Sequence, residues 1–379
     1  MDEDGLYDEF RANVRRLAVE KVAPYAAAYD REARFPEESL QAYKQLGLVG
    51  LAFDETVGGQ GGDVLVQCIV LEELARVCAS SSLALMVIWA GLVPIAKHGS
   101  PKLIDEVIRP ALRGDTVASI CLTEPHGGSN LFGLKTRAKR TSDGWEINGQ
   151  KRYISNAGRS DWYTVLAAIE DKKFGLFAVH KDDPGILIGK KESKLGIKGS
   201  PTADVILENC HIPEHRVIGD PSKGYDYISE SLTWTRALIG AQALGIAQGA
   251  FDEAVRYTAE REQFGQTLSK FQMLRGMVGE MATAVEAGRS LLYRAARGID
   301  IGDPRARSLA SMAKLFCSDT AMEVTVNALQ LHGGAGYTTD FPIERMLRDA
   351  KITQIYEGAN EIQKLIIAKD AYARQEQAA

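Results

Sequence analysis

Cysteine is scarce and unpatterned in this chain of 379 residues. Its five cysteines, Cys68, Cys78, Cys121, Cys210 and Cys317, are odd in number and include no Cys-x-x-Cys pair, so neither a disulfide framework nor a zinc site is suggested and they read as reduced core thiols. Basic runs are missing as well. Lys and Arg total 45 against 50 Asp and Glu, a formal net charge of -5 with no stretch of five basic residues, which makes nucleic acid and membrane poor partners. The longest apolar stretch, Leu83 to Ala96, is 14 residues and contains Pro94; it is too short to span a bilayer and suits a buried helix. The histidines show no metal-ligand spacing, since His211 and His215 stand four apart with Pro213 between them to break a helix. A Gly-x-Ser-x-Gly elbow is lacking, and no Gly-x-Gly-x-x-Gly follows a strand, which excludes the usual hydrolase and Rossmann dinucleotide signatures. Asp2, Glu3 and Asp4 argue against a secretory or mitochondrial presequence, so a cytoplasmic location is expected.

What is present is an ordinary globular composition, 45% hydrophobic and 25% charged, in a length that accommodates two or three domains. From Leu6 to about Leu112 apolar residues recur at helical spacing, as in Phe10, Val14 and Leu17 and again in Val66, Ile69, Val70 and Leu74. The glycine-rich loop at 57–63 is preceded by no strand and followed by no Lys-Ser or Lys-Thr, so it reads as a turn between helices and not as a phosphate cradle. Near Thr116 the texture changes to short β-rich runs, with Asn148-Gly149 predicted as a hairpin turn and Asp143-Gly144 as another. After Pro221 long helical segments return near 228–260, 268–297 and 304–331, and the crowd of small residues from Ala237 to Ala250 predicts close backbone packing by a second helix. The expectation is therefore an α+β multidomain protein: an N-terminal helical domain over 1–115, a central antiparallel, barrel-like β-sheet domain over 116–220, and a C-terminal four-helix bundle over 221–379.

Chemistry concentrates in QIYEGANEIQ at 354–363, where Glu357 stands beside Gly358 at the entrance to an apolar-periodic segment. Gly358 strips side-chain bulk from the backbone next to the carboxylate, so a flat ligand or thioester has room to approach, while Tyr356 and Ile355 keep water scarce. Such a carboxylate can take a proton from carbon. A glutamate at a helix start is also favoured by the helix dipole whatever the protein does. In the β region Thr123 follows a strand end, and Tyr153 and Ser155 are placed two residues apart on one face of the next strand; they either meet a planar ligand or simply line an inward strand face. Arg261 alone reads as a surface ion-pair partner, and glycines 333, 334 and 336 as a helix cap and turn.

Five motifs in one order carry a resemblance over nearly the whole chain: CLTEPHGGSN at 121–130, KLGIKGSPT at 194–202, REQFG at 261–265, QLHGGAG at 330–336 and the Tyr-Glu-Gly segment. With them the chain resembles the acyl-CoA dehydrogenase family, in its FAD-dependent short-, medium- and branched-chain type. The resemblance implies α,β-dehydrogenation of an acyl-CoA thioester in fatty acid metabolism, with Glu357 abstracting the α-proton while the β-hydride passes to flavin N5. It places Cys121, Thr123, Tyr153 and Ser155 at the flavin, the last two standing where relatives commonly have Trp and Thr. It places Arg261, Gln263 and Phe264, with Gln330 and Gly334 as the other wall, across a subunit interface at a neighbour's FAD, and Ala359 and Asn360 beside the cofactor. Ser129, Thr233, Arg236, Tyr356 and Gly358 are assigned to the substrate. Implied partners are electron-transferring flavoprotein and copies of the same chain in a homotetramer, a dimer of dimers.

Some family branches carry the base one residue before an Arg on the first long C-terminal helix; here that position is Thr235, ahead of Arg236, which leaves Glu357 as the carboxylate. Two departures bear on the acyl carrier. Thr233 replaces an Asp that relatives use near coenzyme A, and Ala359 replaces the Thr that commonly follows Glu-Gly. A flavin dehydrogenase or oxidase acting on a carrier-protein thioester therefore stands as an alternative, and a non-catalytic flavoprotein scaffold, as in a few offshoots of the family, as another. Asn130 likewise replaces a family Asp, keeping a turn-forming side chain without its charge.

Overall fold

The computed structural model describes residues 3–170 and 173–378. Helices come first, among them Glu3–Leu17, Glu37–Gln45, Val64–Ala75 and Ala79–His98. Asp63 caps the third of these, its Oδ1 accepting Val66 N–H at 2.6 Å, and so satisfies one of the orphan donors at a helix start. The glycine-rich loop ahead of it packs tightly on itself, with Gly59 so close to Phe53 that a Cβ would lie 2.0 Å from its carbonyl oxygen.

Seven strands follow and form one curled sheet: β1 (Ala118–Cys121), β2 (Arg137–Arg140), β3 (Gly144–Ser155), β4 (Trp162–Glu170), β5 (Lys173–His180), β6 (Ile186–Ile188) and β7 (Thr202–Pro213). Their order is β1-β4-β2-β3-β7-β6 with β5 on β4. Four of the pairs are antiparallel, while β1 and β2 both run parallel to β4, with Ala118 opposite Trp162 and Arg137 opposite Ala168. The expected Asn148-Gly149 hairpin is not one. Both residues lie inside β3, at a register shift against β7. Gly149 is there because Thr136 on the neighbouring segment approaches so closely that a Cβ would sit 2.4 Å from its Oγ1, and Asn148 Oδ1 accepts Asn209 N–H at 2.7 Å beside the bulge. The true turn joins β2 to β3 through Asp143-Gly144, closed by Thr141 N–H to the Gly144 carbonyl at 2.9 Å.

The apolar helix Ala79–His98 is long and apolar enough to cross a membrane by length and composition, yet 94% of that window is buried inside the protein. It joins the first helices to the sheet: Gly91 lies against Ser119 of β1 with no room for a Cβ, and Thr164 of β4 donates to the Gly91 carbonyl at 2.6 Å. All five cysteines are buried free thiols.

The chain then returns to helices: Gly224–Glu260, Gln272–Asp300, Ala306–His332, Ile343–Thr353 and Asn360–Ala378. The small-residue stretch works as expected, and its partner is the N-terminal helix Val64–Ala75. Gly245 and Gly249 lie so close to the Glu72 and Arg76 carbonyls that a Cβ would stand 2.2 and 2.1 Å from those oxygens. Ion pairs reinforce the contact: Arg76 Nε donates to Asp252 Oδ2 of the long helix at 2.6 Å, and the buried Glu72 and Glu73 pair with Arg289 at 3.1 Å and Arg11 at 2.6 Å from the neighbouring helices. The Gly224–Glu260 helix is thereby fixed against the N-terminal helices, and the residues it carries at 233–236 are fixed with it.

Candidate active site

Helix Ile343–Thr353 ends where the Thr353 hydroxyl turns back to the Ala350 carbonyl at 2.7 Å. The next six residues form a connection closed by Asn360 N–H, at the start of the following helix, to the Gln354 carbonyl at 3.0 Å. Glu357 has φ +53° and Gly358 φ +90°, two successive left-handed residues. For Glu357 that conformation costs roughly 1–2 kcal/mol and persists only where its surroundings hold it. Gln363 donates its amide to the Gly358 carbonyl at 2.8 Å and, more weakly, to that of Glu357 at 3.3 Å. From the other side the fully buried Lys314 ammonium bonds the Gly358 carbonyl at 3.0 Å and Asn360 Oδ1 at 2.8 Å. Gly358, expected to clear space for a ligand, is required for its positive φ, and the space a Cβ would take is filled by Gln363 Nε2, 2.7 Å away.

The Glu357 carboxylate is partly buried and accepts a 2.8 Å hydrogen bond from Thr235 Oγ1. Desolvation pushes its pKa above the usual carboxylate value, opposed by the Thr235 hydroxyl and by the charges of Arg236 and Lys314. Burial also pulls Lys314 down to about 8, against the attraction of Glu357 and Asp319. Arg236 is buried and brought down to about 10, first by desolvation and then by Arg307. Its Nε and Nη1 have no hydrogen-bond partner. Guanidinium N–H groups buried without an acceptor from the protein are costly; the arrangement suits a ligand that brings acceptor oxygens. The Tyr356 hydroxyl hydrogen-bonds Gln242, which in turn reaches the Ala79 carbonyl at 2.9 Å. Thr233 lies one turn from Thr235's neighbour Arg236 and bonds back to the Ser229 carbonyl at 3.5 Å, while Trp234 is held by Gln67 at 2.7 Å.

On the sheet, Tyr153 adopts φ +57° at a second register shift of β3. This interrupts plain alternation, yet Tyr153 and Ser155 still flank the buried Ile154, with Tyr153 57% exposed. An aromatic ring so placed, with Arg152 stacked 4.8 Å from it, is open to a planar ligand. Thr123 is partly exposed, and its carbonyl accepts Arg152 N–H at 2.8 Å, joining it to the Tyr153 strand. Cys121 differs from these: it is buried in the sheet core, its thiol pushed up to about 12 by burial, so its side chain packs and does not face a ligand. Ser129 is exposed on the turn that follows. Asn360, expected beside the cofactor, is buried and spends its amide on Lys314, Ser318 and Asp319, leaving only its backbone for a ligand.

A second group stands apart from Glu357. Arg261 closes the Gly224–Glu260 helix, and Gln263 and Phe264 lie in the small hairpin of β8 (Glu262–Gln263) and β9 (Gln266–Thr267). Phe264 and Gly265 both have positive φ, the requirement of a two-residue hairpin turn. Along the helix Arg261 is roughly 39 Å from Thr235 at 1.5 Å per residue, so one chain does not bring these residues to its own Glu357. Phe264 is 93% exposed, a large aromatic without cover in a single chain. Gln330 and Gly334 lie at the far end of helix Ala306–His332, where a Cβ on Gly334 would meet open space.

Sequence reasoning passed over three groups: Lys314, the Thr235 hydroxyl as a donor to the base, and the buried pair Lys151–Glu124, 2.9 Å apart beneath Thr123. A lone lysine in the apolar segment LASMAKLFC at 309–317 was a usable signal, because lysine is almost never fully buried unless paired.

Family models match along the chain: acyl-CoA dehydrogenase, N-terminal domain, over residues 7–115; middle domain over 119–210; C-terminal domain over 222–372. A probable acyl-CoA dehydrogenase, FadE25, of Mycobacterium tuberculosis is 48% identical over 368 residues, covering 96% of this chain and 94% of the relative. Cyclohexane-1-carbonyl-CoA dehydrogenase of Geobacter metallireducens is 41% identical over 361 residues, covering 94% and 95%. Among solved structures, butyryl-CoA dehydrogenase from Megasphaera elsdenii superposes with a TM-score of 0.93 at 33% identity, covering 98% of this chain and 99% of that one.

Proposed function

This chain belongs to the FAD-dependent acyl-CoA dehydrogenase family, and from that premise we propose that it converts an acyl-CoA thioester to the trans-2-enoyl-CoA with Glu357 as the base for the α-proton. The observation that carries the reading is the carboxylate itself, held in a left-handed turn with its basicity raised by burial and its orientation set by Thr235. A carboxylate made more basic by desolvation is a better acceptor for a carbon-bound proton. Arg236 adds two unpaired buried guanidinium nitrogens beside it, donors suited to an acceptor oxygen on the bound acyl-CoA. Tyr356, anchored on Gln242, walls the site against water.

Bound FAD supplies the acceptor for the β-hydride at N5. The residues fit such a group: Thr123, Tyr153 and Ser155 offer a hydroxyl, an aromatic face and a second hydroxyl in one region of the sheet. Arg261, Gln263, Phe264, Gln330 and Gly334 would hold the far end of a neighbouring chain's FAD, which requires at least a dimer; a dimer of dimers is the proposed assembly. Electron-transferring flavoprotein is the proposed acceptor of the electrons.

The deciding experiment adds straight, branched and alicyclic acyl-CoA thioesters, and the same acyl groups on a carrier protein, anaerobically to the yellow protein. Bleaching by one of the CoA thioesters is expected, with Glu357→Gln keeping its yellow cofactor but failing to bleach. Bleaching of the Gln variant at the native rate would refute the base, and bleaching by carrier-bound acyl groups alone would move the substrate class.

A further inference from the structure

Lys314 is completely buried on helix Ala306–His332, and its two bonds close on the residues that directly follow the base: the Gly358 carbonyl and Asn360 Oδ1. The brace extends further. Asn360 Nδ2 donates to Ser318 Oγ at 2.9 Å and to Asp319 Oδ1 at 2.8 Å, and Asp319 Oδ1 also accepts Gln354 Nε2 at 2.6 Å. The 354–359 connection and the first residue of the helix after it are thus tied to two successive turns of a single helix. Serving the Gly358 carbonyl alone needs only a neutral donor. Burying an ammonium there carries a penalty of several kcal/mol that its partners must offset, so the charge calls for an explanation beyond the tie. The charged groups that act on it are Glu357, Asp319, Arg236 and Glu361.

We infer that Lys314 is a positioning residue for proton abstraction: its ammonium locks the left-handed Glu357–Gly358 turn and its charge keeps the Glu357 carboxylate ionised and ready to accept the α-proton. The inference rests on the reading of Glu357 as the base. The carboxylate loses solvation on burial, and the Thr235 hydroxyl, Arg236 and Lys314 each favour the ionised form against that loss. Lys314 bonds Gly358 and Asn360 and not Glu357 itself, so its effect reaches the carboxylate through the turn and through space.

The test uses full-length, flavin-loaded protein and follows kcat, KM and the pH profile of kcat/KM with an acyl-CoA thioester. Lys314→Gln keeps a donor but removes the charge. It is expected to lower kcat about 10- to 100-fold with KM nearly unchanged, and to move the acid limb of kcat/KM to higher pH by less than loss of the Thr235 hydroxyl does, since loss of the cation raises the pKa of the base. Lys314→Arg, which restores a cation, is expected to return the limb toward its native position. An unmoved limb in Lys314→Gln overturns the inference. Should that variant fail to fold, Asn360→Ala keeps the ammonium and removes its second acceptor; a native kcat there overturns the positioning role, and a lowered kcat with the limb in place supports it. Glu357→Gln measured alongside separates the two readings. If it turns over normally the base assignment is lost, whereas if it is dead while Lys314→Gln behaves as native, only this inference is lost.

Discussion

Thr235 Oγ1 lies 2.8 Å from Glu357 Oε2, so a hydroxyl 122 residues away in sequence donates to the base. That bond favours the ionised carboxylate and opposes the upward push of burial. Thr235→Val keeps the shape and removes the donor, so the pKa of the base rises. Because kcat/KM follows the ionised base of the free enzyme, its acid limb is expected to move to higher pH by about one unit, while Thr235→Ser holds it near the native position. A limb that stays in place in the Val variant would show that the bond does not form in solution.

Arg236 has its Nε and Nη1 buried without acceptors and acts electrostatically on Glu357. Arg236→Leu removes both the donors awaiting a ligand and one of the cations that keep the base ionised. Loss of donors aimed at a developing negative charge costs roughly 10²–10³ in rate, and a fall in kcat/KM of about that size is expected. Arg236→Lys should recover part of it, because an ammonium restores charge but not the planar fork. Steady-state kinetics near neutral pH, with flavin content measured in parallel, checks this; an Arg236→Leu enzyme within threefold of native would remove Arg236 from the site.

Gly245 stands where a Cβ would lie 2.2 Å from the Glu72 carbonyl oxygen and 2.8 Å from Ala75 Cβ. Alanine in a helix is favoured over glycine by about 1 kcal/mol, but here the obstacle is backbone of a packed helix and not a mobile side-chain tip. Overpacking of this kind costs about 1–3 kcal/mol. Gly245→Ala is therefore expected to lower stability, read as a lower urea midpoint at unchanged slope. A raised midpoint would mean that the helices Val64–Ala75 and Gly224–Glu260 separate without penalty.

Helical periodicity and the order of elements were legible because each depends on neighbours a few residues apart: Val66, Ile69, Val70 and Leu74 all fall in helix Val64–Ala75, and the 237–250 stretch does pack against backbone. Glu357 was legible as a junction residue for the same reason, since its turn and the helix Asn360–Ala378 are adjacent. What stayed hidden depends on distant partners. Asn148-Gly149 carries the local composition of a hairpin, but the glycine answers to Thr136 across the sheet. Gly358 looked like an opening and is filled by Gln363. Lys314 meets its acceptors only when two helices pack, and Asn360 turns inward because Ser318 and Asp319 are there to receive it. Local pattern specifies element type, whereas the role of a polar side chain follows from what the tertiary structure sets against it.

The pair Lys151–Glu124 lies beneath the turn that carries Thr123, and both side chains are buried. Glu124 also accepts Lys135 N–H at 2.7 Å and Thr136 N–H at 3.1 Å, and Lys151 reaches the Leu122 carbonyl at 3.2 Å. Burial works to raise the Glu124 pKa, but the Lys151 charge and these donors outweigh it and hold the carboxyl below its usual range. A depressed folded-state pKa contributes stability above the unfolded value, near 4.3, that is lost as pH falls through the lower folded value. Lys151→Met leaves a buried carboxylate without its cation, which costs about 3–5 kcal/mol when one partner of such a pair is removed. In that variant the Glu124 pKa rises above the unfolded value, so protonation in acid relieves the penalty. The stability deficit is therefore expected to be largest at neutral pH and to shrink as pH is lowered toward about 4. The freed turn should also release flavin more readily, measurable as faster loss of yellow absorbance on dilution. A deficit that is flat with pH would show that Lys151 serves only to fill space.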